Sequence, residues 1–323
     1  MKRVILTGAS GFVGANLARR LLRDGHELHL LLRRNHHLWR IAAIQNDVQL
    51  HETDLSDEES LVRIVESICP EWVFHLAAYG AYSTQTDLRR MVWTNILGTM
   101  NLVQACLKTG FEAFVNTGSS SEYGFKDHAP AEDELLEPNS PYAVTKASAT
   151  LFCRHIARSR QVHLPTLRLY SIYGPYEEPS RLIPTLIVRG LNGQLPPLVN
   201  PETARDFVYI DDVVEAYLLA ATQSSFEEYG AVYNVGSGIQ TTLREVVEVA
   251  RRVMNIEDEP EWGSMPARQW DTQVWVSDNS KIRNELGWQP RFTLEQGLRA
   301  TINWLKENPA FLNRRTEDRD NGA

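Results

Sequence analysis

Residues 3–14 read Arg3-Val4-Ile5-Leu6-Thr7-Gly8-Ala9-Ser10-Gly11-Phe12-Val13-Gly14. The apolar run at 3–7 has the pattern of a short strand buried on both faces. Residues 12–24 follow with the spacing of an amphipathic helix. Between them lie three glycines in the order GxxGxxG, which let the backbone turn tightly and approach a pyrophosphate facing the helix N-terminus. The order differs from the GxGxxG of the usual dinucleotide fingerprint. Its place, after a strand and before an amphipathic helix, carries the reading.

Outward from this turn, strand and helix patterns alternate. Strands are expected at 27–32, 48–51, 72–77, 113–118 and 164–169. Helical spacing marks Leu61, Ile64, Val65 and Ile68, then roughly 88–109, and a helix from Pro141 to about 159. Repeated βα units predict a Rossmann-like, doubly wound parallel sheet of the α/β class. After about 170 the regularity breaks. Gly174-Pro175, Pro179, Pro184, Pro196-Pro197 and Pro201 predict that loops dominate 173–205. A strand at 207–210, a helix to about 221, a strand at 232–236 and a helix at about 242–254 follow. The expected organisation is a nucleotide-binding unit over 1–170, with 206–236 returning to it. A smaller interleaved C-terminal substrate-binding domain takes 171–205 and 237–308, and 309–323 form a fraying tail.

The 323 residues suffice for about two structural units and a large core. Net charge is −8, which argues against a nucleic-acid-binding protein. Three cysteines without a CxxC suggest neither a disulfide framework nor a zinc site, and point to a reducing cytosol. Adjacent His36 and His37 read as a polar loop, and no metal site is expected. Met1-Lys2-Arg3 and the apolar residues after it mimic a leader, but Gly8, Gly11 and Gly14 interrupt the run. No apolar stretch is long enough to span a membrane, so a cytoplasmic protein is expected.

A second segment carries chemistry. In Tyr142-Ala143-Val144-Thr145-Lys146, tyrosine and lysine stand four apart on one helix face. Ser140 fits an N-cap and Pro141 the first helical position. A nearby ammonium favours the phenolate, so the pair suits acid–base work. At the end of the second strand stand Arg33 and Arg34, with no carboxylate to hold ribose hydroxyls. A guanidinium there can pair with a 2′-phosphate, so NADP is favoured over NAD, and Arg40 is a further candidate for that phosphate.

Taken together these motifs resemble the extended branch of the short-chain dehydrogenase/reductase superfamily, the NAD-dependent epimerase/dehydratase family, over residues 3–305. Asp54-Leu55, His75-Leu76-Ala77-Ala78 and Asn95 in TNILGT match its cofactor-side motifs. The resemblance implies cofactor contacts from Gly8, Ser10, Gly11, Phe12, Val13, Gly14, Asp54, Leu55, Leu76, Ala77, Ala78, Asn95, Thr117, Tyr142, Lys146 and Leu169. Counting back from Tyr123-Gly124, Ser119 falls on the family's catalytic Ser/Thr, which completes a set with Tyr142 and Lys146. The family's 4,6-dehydratases carry Asp-Glu or Ser-Glu at the two positions after it. Here these are Ser120-Ser121, and Glu122 comes one place late, pointing to the other face of a strand.

Tyr170-Ser171-Ile172-Tyr173-Gly174-Pro175 resembles a segment in which an Asn, here Ser171, touches the substrate diphosphate. Arg205-Asp206-Phe207 and Arg268 match diphosphate-binding positions, and Asp278…Leu286-Gly287-Trp288 matches the closing motif. Tyr79, Ser120, Ser121 and Tyr142 are implied on the substrate side. Within the family the chain is similar to nucleotide-sugar 4-keto-6-deoxyhexose reductases of the CDP-abequose/paratose synthase type. That similarity implies an NADPH-dependent reduction of a nucleotide-diphosphate sugar by a homodimer. A 4-epimerase with tightly bound NAD, a 4,6-dehydratase and a non-catalytic cofactor-binding protein remain open.

Overall fold

The computed structural model describes all residues except 35–36, 83, 224–228, 267–271 and 312–323. Eleven strands are described: β1 Arg3–Thr7, β2 Glu27–Leu32, β3 Gln49–Glu52, β4 Trp72–His75, β5 Ala113–Ser119, β6 Thr166–Leu169, β7 Ser171–Tyr173, β8 Ala204–Arg205, β9 Phe207–Tyr209, β10 Val232–Val235 and β11 Thr241–Thr242. Seven of them form one parallel sheet in the order β10-β6-β5-β4-β1-β2-β3. The chain runs outward from β1 to β3, then returns to β4 on the other side of β1. The crevice at the carboxyl ends of β1 and β4 is therefore the topological switch point, where open α/β sheets bind ligands. Thr7 pairs with His75 there.

The strands alternate between two cores. Val4 and Leu6 face one side, with helices α1 (Phe12–Arg23) and α7 (Ile210–Thr222). Ile5 faces the other, with α2 (Glu58–Ile68), α4 (Gly98–Thr109) and α5 (Pro141–Arg160). Both faces are covered, so the strands read as unbroken apolar runs. The two-residue strands β8 and β11 pair antiparallel, and β7 and β9 form a separate parallel pair.

Two expectations need correction. The helix expected over 88–109 is a composite: α3 (Leu88–Met91), a π-helical segment (Val92–Leu97), then α4. Hydrophobic spacing registers a continuous helix but not one widened turn. The prolines of 173–205 did not exclude a helix, because α6 (Leu182–Gly190) contains Pro184 in its first turn. A residue there needs no N–H for the helical ladder. Three more helices close the fold: α8 (Leu243–Met254), α9 (Ser280–Leu286) and α10 (Leu294–Glu307). Trp288 is fully buried and donates its indole N–H to the Asp212 carbonyl at 2.8 Å, anchoring the closing motif under α7. The expected fraying tail begins at 309, and 312–323 lie outside the described residues.

Candidate active site

The glycine turn is built as its spacing requires. Gly8 has φ +74°, and a Cβ there would come within 2.6 Å of the Leu76 backbone. A Cβ on Gly14 would come within 2.3 Å of the Gly8 carbonyl oxygen. Gly11 caps α1 without a side-chain hydrogen bond, and its N–H closes the turn on Gly8 O at 2.9 Å. Bare backbone packed this closely, at the N-terminus of a twelve-residue helix, fits a pyrophosphate.

β4 ends beside this turn. His75 is buried between two threonines, its Nδ1 2.8 Å from Thr7 Oγ1 and its Nε2 2.9 Å from Thr99 Oγ1. Thr99 spends its own proton on Asn95 O, so Nε2 carries the hydrogen and Thr7 donates to Nδ1. Burial lowers the imidazole pKa to about 3, so the ring is neutral. Asn95, inside the π segment, is buried. Its amide bonds Tyr79 N and Tyr79 O, each at 2.8 Å, and Thr145 Oγ1 at 2.9 Å. It braces the loop after β4 against α5.

The catalytic set lies at the end of β5 and the start of α5. Ser140 caps α5 by accepting from Ala143 N at 3.2 Å, and Pro141 occupies the first turn. Tyr142 is half-buried and Lys146 buried. Ser119 is the last residue of β5, and its Oγ lies 2.8 Å from Ser121 Oγ. The charge relationship differs from the expected one. Burial raises the Tyr142 pKa to about 12, while the Ser119 side chain and the Arg181 charge lower it. Lys146 instead donates to Thr117 O at 2.5 Å, and burial lowers its own pKa. Thr117 Oγ1 is 2.6 Å from the hydroxyl of Tyr217 on α7.

Glu122 is not on a strand, so strand alternation does not set its direction, and its carboxylate reaches back to the backbone of Ser119. It is fully buried in a 3-10 turn at Ser120–Tyr123, where its Oε1 accepts from Ser119 N at 2.8 Å and its Oε2 from Arg168 Nε at 2.9 Å. Beside Ser120 and Tyr123, residues Lys126, His128, Tyr170 and Trp275 line a recess. Sequence reading missed these because they lie on loops and no spacing marks them.

On the cofactor side, Asp54 Oδ1 accepts from Ser56 N and Ser56 Oγ. Burial raises its pKa, but these bonds and the Arg33 charge outweigh that and hold it low. Arg33 stands on the surface at the end of β2, where partial desolvation of its guanidinium together with the Arg90 charge lowers its pKa. Arg34 pairs with Glu52 at 2.8 Å on the surface. Arg40 does not face the end of β2. It is buried, binding Tyr176 O, Ser10 O and Glu178 Oε2, and so ties the glycine turn to the loop after β7.

On the substrate side, Ser171 N bonds Asp206 O at 3.0 Å, and the guanidinium of Arg205 lies 5.8 Å from the Trp275 ring. The Asp206 carboxylate, fully buried, accepts from Ser237, Gly238 and Ser277, joining the ends of β8 and β10 to the 277 segment. Arg268 lies outside the described residues.

The model of the NAD dependent epimerase/dehydratase family matches residues 4–236. The chain belongs to that family. It is 29% identical over 315 residues to the UDP-glucose 4-epimerase of Mycolicibacterium smegmatis, covering 94% of this chain and 98% of that protein. It is 27% identical over 333 residues to the trifunctional UDP-glucose 4,6-dehydratase/UDP-4-keto-6-deoxy-D-glucose 3,5-epimerase/UDP-4-keto-L-rhamnose-reductase of Arabidopsis thaliana. That match covers 96% of this chain but spans only 48% of the relative. A UDP-glucuronic acid 4-epimerase from Bacillus cereus, solved with UDP-glucuronic acid and NAD, superposes with a TM-score of 0.82 at 26% identity. The match covers 94% of this chain and 99% of that one. Among the described residues, no group of three or more His, Cys, Asp or Glu is placed to hold a metal, and no helix is long and apolar enough to cross a membrane.

Proposed function

We propose that this chain reduces the C4 ketone of a nucleotide-linked 4-keto-6-deoxyhexose with NADPH. The end of β2 carries the reading. Arg33 and Arg34 stand where an NAD enzyme places a carboxylate, and the charges of Arg33 and Arg90 act on each other there. Guanidinium groups suit a 2′-phosphate, and an exchangeable NADPH suits net reduction. The dehydratase reading is weakened further by the site itself. Ser120-Ser121 replaces the expected acid pair, and Glu122 is committed to Arg168.

NADPH, when bound, supplies the hydride. Tyr142 gives its proton to the alkoxide formed at C4, and Ser119 hydrogen-bonds that oxygen. Lys146 holds the nicotinamide ribose, and the glycine turn holds the pyrophosphate. Arg205 and Arg268 receive the sugar-nucleotide diphosphate, brought by 171–205 and 237–308. The similarity to UDP-glucose 4-epimerase over nearly all of both chains supports a second reading, a 4-epimerase that retains NAD.

A cytoplasmic homodimer accompanies this proposal. Leu88, Val92, Trp93 and Leu97 on α3 and the π segment, with Val144 and Leu151 on α5, are exposed apolar side chains on neighbouring helices. Light scattering giving a monomer mass would reject the dimer. The functional test is nicotinamide absorbance with NADPH and a panel of nucleotide-4-keto-6-deoxyhexoses. Stoichiometric NADPH loss with a reduced sugar supports the reductase. Interconversion of ordinary nucleotide-hexoses without NADPH loss supports the epimerase instead.

A further inference from the structure

The Ser119 backbone N–H donates to Glu122 Oε1 at 2.8 Å, completing the capping box of the turn Ser120–Tyr123. A capping box asks nothing more of its acid than that bond. Here the acid is fully buried and accepts two bonds from other elements. Thr150 Oγ1 on α5 donates to its Oε1 at 3.0 Å, and Arg168 Nε on β6 donates to its Oε2 at 2.9 Å. Arg168 is fixed in turn, donating to Tyr123 OH at 2.7 Å and Glu132 O at 3.1 Å. A Cβ on Gly118 would come within 2.8 Å of Glu122 Oε1, so glycine before Ser119 makes room for the carboxylate. Apolar residues of similar volume often serve stability as well as a buried ion pair, so stability does not account for this one.

The partners of Glu122 point to a different role. Thr150 and Lys146 are both buried on α5, four residues apart and so on one face. Lys146 donates to Thr117 O, two residues before Ser119. The helix that carries Tyr142 therefore meets the end of β5 at two points: Lys146 on Thr117 O, and Thr150 through Glu122 on Ser119 N. We infer that Glu122 is a positioning residue, whose carboxylate clamps the Ser119 backbone to α5 and so sets where the Ser119 hydroxyl stands relative to Tyr142 and the reacting oxygen. This rests on the reading of Ser119, Tyr142 and Lys146 as the catalytic set. Glu122 acts through the main chain of Ser119 and transfers no proton. Without the clamp the last residue of β5 can shift, and a displacement of about 1 Å at a catalytic group can cost about 10²-fold in rate.

The test separates positioning from stability with two variants of the full chain. Glu122→Leu combined with Arg168→Met replaces the ion pair by apolar side chains, so it should fold and melt close to the parent. It leaves Ser119 N–H unheld. Its kcat should fall about 10–100-fold, the scale of a hydrogen bond to a charged group, at unchanged KM for NADPH. Glu122→Gln keeps an acceptor for Ser119 N–H but leaves the buried Arg168 uncompensated. It should melt lower than the parent, yet keep kcat within about threefold. Amide hydrogen exchange at Ser119, read by NMR on the ligand-free protein, should quicken about 10–100-fold in the double variant and stay near the parent's in Glu122→Gln. A folded double variant with the parent's kcat, a Glu122→Gln variant that loses as much turnover as the double variant, or unchanged Ser119 exchange in the double variant would each overturn the inference. A parent that turns over neither nucleotide-4-keto-6-deoxyhexoses nor ordinary nucleotide-hexoses would instead remove the functional reading, while the exchange rates still decide whether Glu122 holds Ser119.

Discussion

The Lys146 ammonium donates to the Thr117 carbonyl at 2.5 Å, two residues before Ser119. One helix thereby places a cation and a phenol against the end of one strand, and β5 and α5 are held in fixed register. Lys146→Met should weaken cofactor affinity and lower turnover by about 10²–10⁴-fold. Tyr142→Phe should lower turnover to a similar extent yet keep cofactor affinity. Nicotinamide fluorescence titrations beside steady-state rates separate the two, and equal cofactor affinity in both variants would contradict the division of labour.

The glycine turn predicts a combined loss. Gly14→Ala places a methyl 2.3 Å from Gly8 O, where only backbone could yield. The variant should lose more than about 2 kcal/mol of stability and bind dinucleotide measurably more weakly. Thermal melts with and without cofactor check this. A variant that melts and binds like the parent would show that the close approach is not needed.

Cofactor choice turns on Arg33. Arg33→Asp removes a guanidinium and supplies the carboxylate missing from the end of β2. The Kd for NADPH should rise about 10–100-fold, the scale of a charge-assisted hydrogen bond, while NADH binding holds or tightens. Calorimetry with both nucleotides measures it. Equal losses for both would place Arg33 outside 2′-phosphate recognition.

Two buried groups set opposite pH slopes on stability. The folded pKa of His75, about 3, lies below its ordinary 6.5. Below pH 6.5 the unfolded chain binds the proton and the folded chain does not, so stability falls as pH drops toward 3. The carboxyl of Glu177 is pushed up by burial to about 8 from 4.5, and its Oε2 has no hydrogen-bond partner among the described residues. Its contribution is fully present below pH 4.5 and is lost as pH rises through 8. Glu177→Gln should therefore raise the melting temperature at pH 8 by several degrees and change it little at pH 4.5. Equal effects at both pH values would contradict the burial argument.

The parallel sheet was legible because its inner strands lie buried between helices and read as apolar runs beside a helical repeat, while only the edge strand β3 is polar and exposed. The turn at Gly8–Gly14 and the Tyr142–Lys146 spacing were legible because their chemistry is local in sequence. What escaped was non-local. The environment of Tyr142 depends on burial and on Ser119, 23 positions earlier, and not on Lys146 alone. Arg40 reads as a free cation, but the loop 136 residues later claims it. Glu122 is an unplaced acid until Arg168, 46 residues on, pairs with it. The π segment at Val92–Leu97 leaves no hydropathy signal at all.

The most direct measurement is hydride tracing. NADPH deuterated at the nicotinamide C4 is supplied with a nucleotide-4-keto-6-deoxyhexose, and the product is read by mass and NMR. The account predicts one deuterium at sugar C4 for each NADPH oxidised, with the label lost in Tyr142→Phe. A product without label at C4, or conversion of a nucleotide-hexose with NADPH untouched, would contradict it.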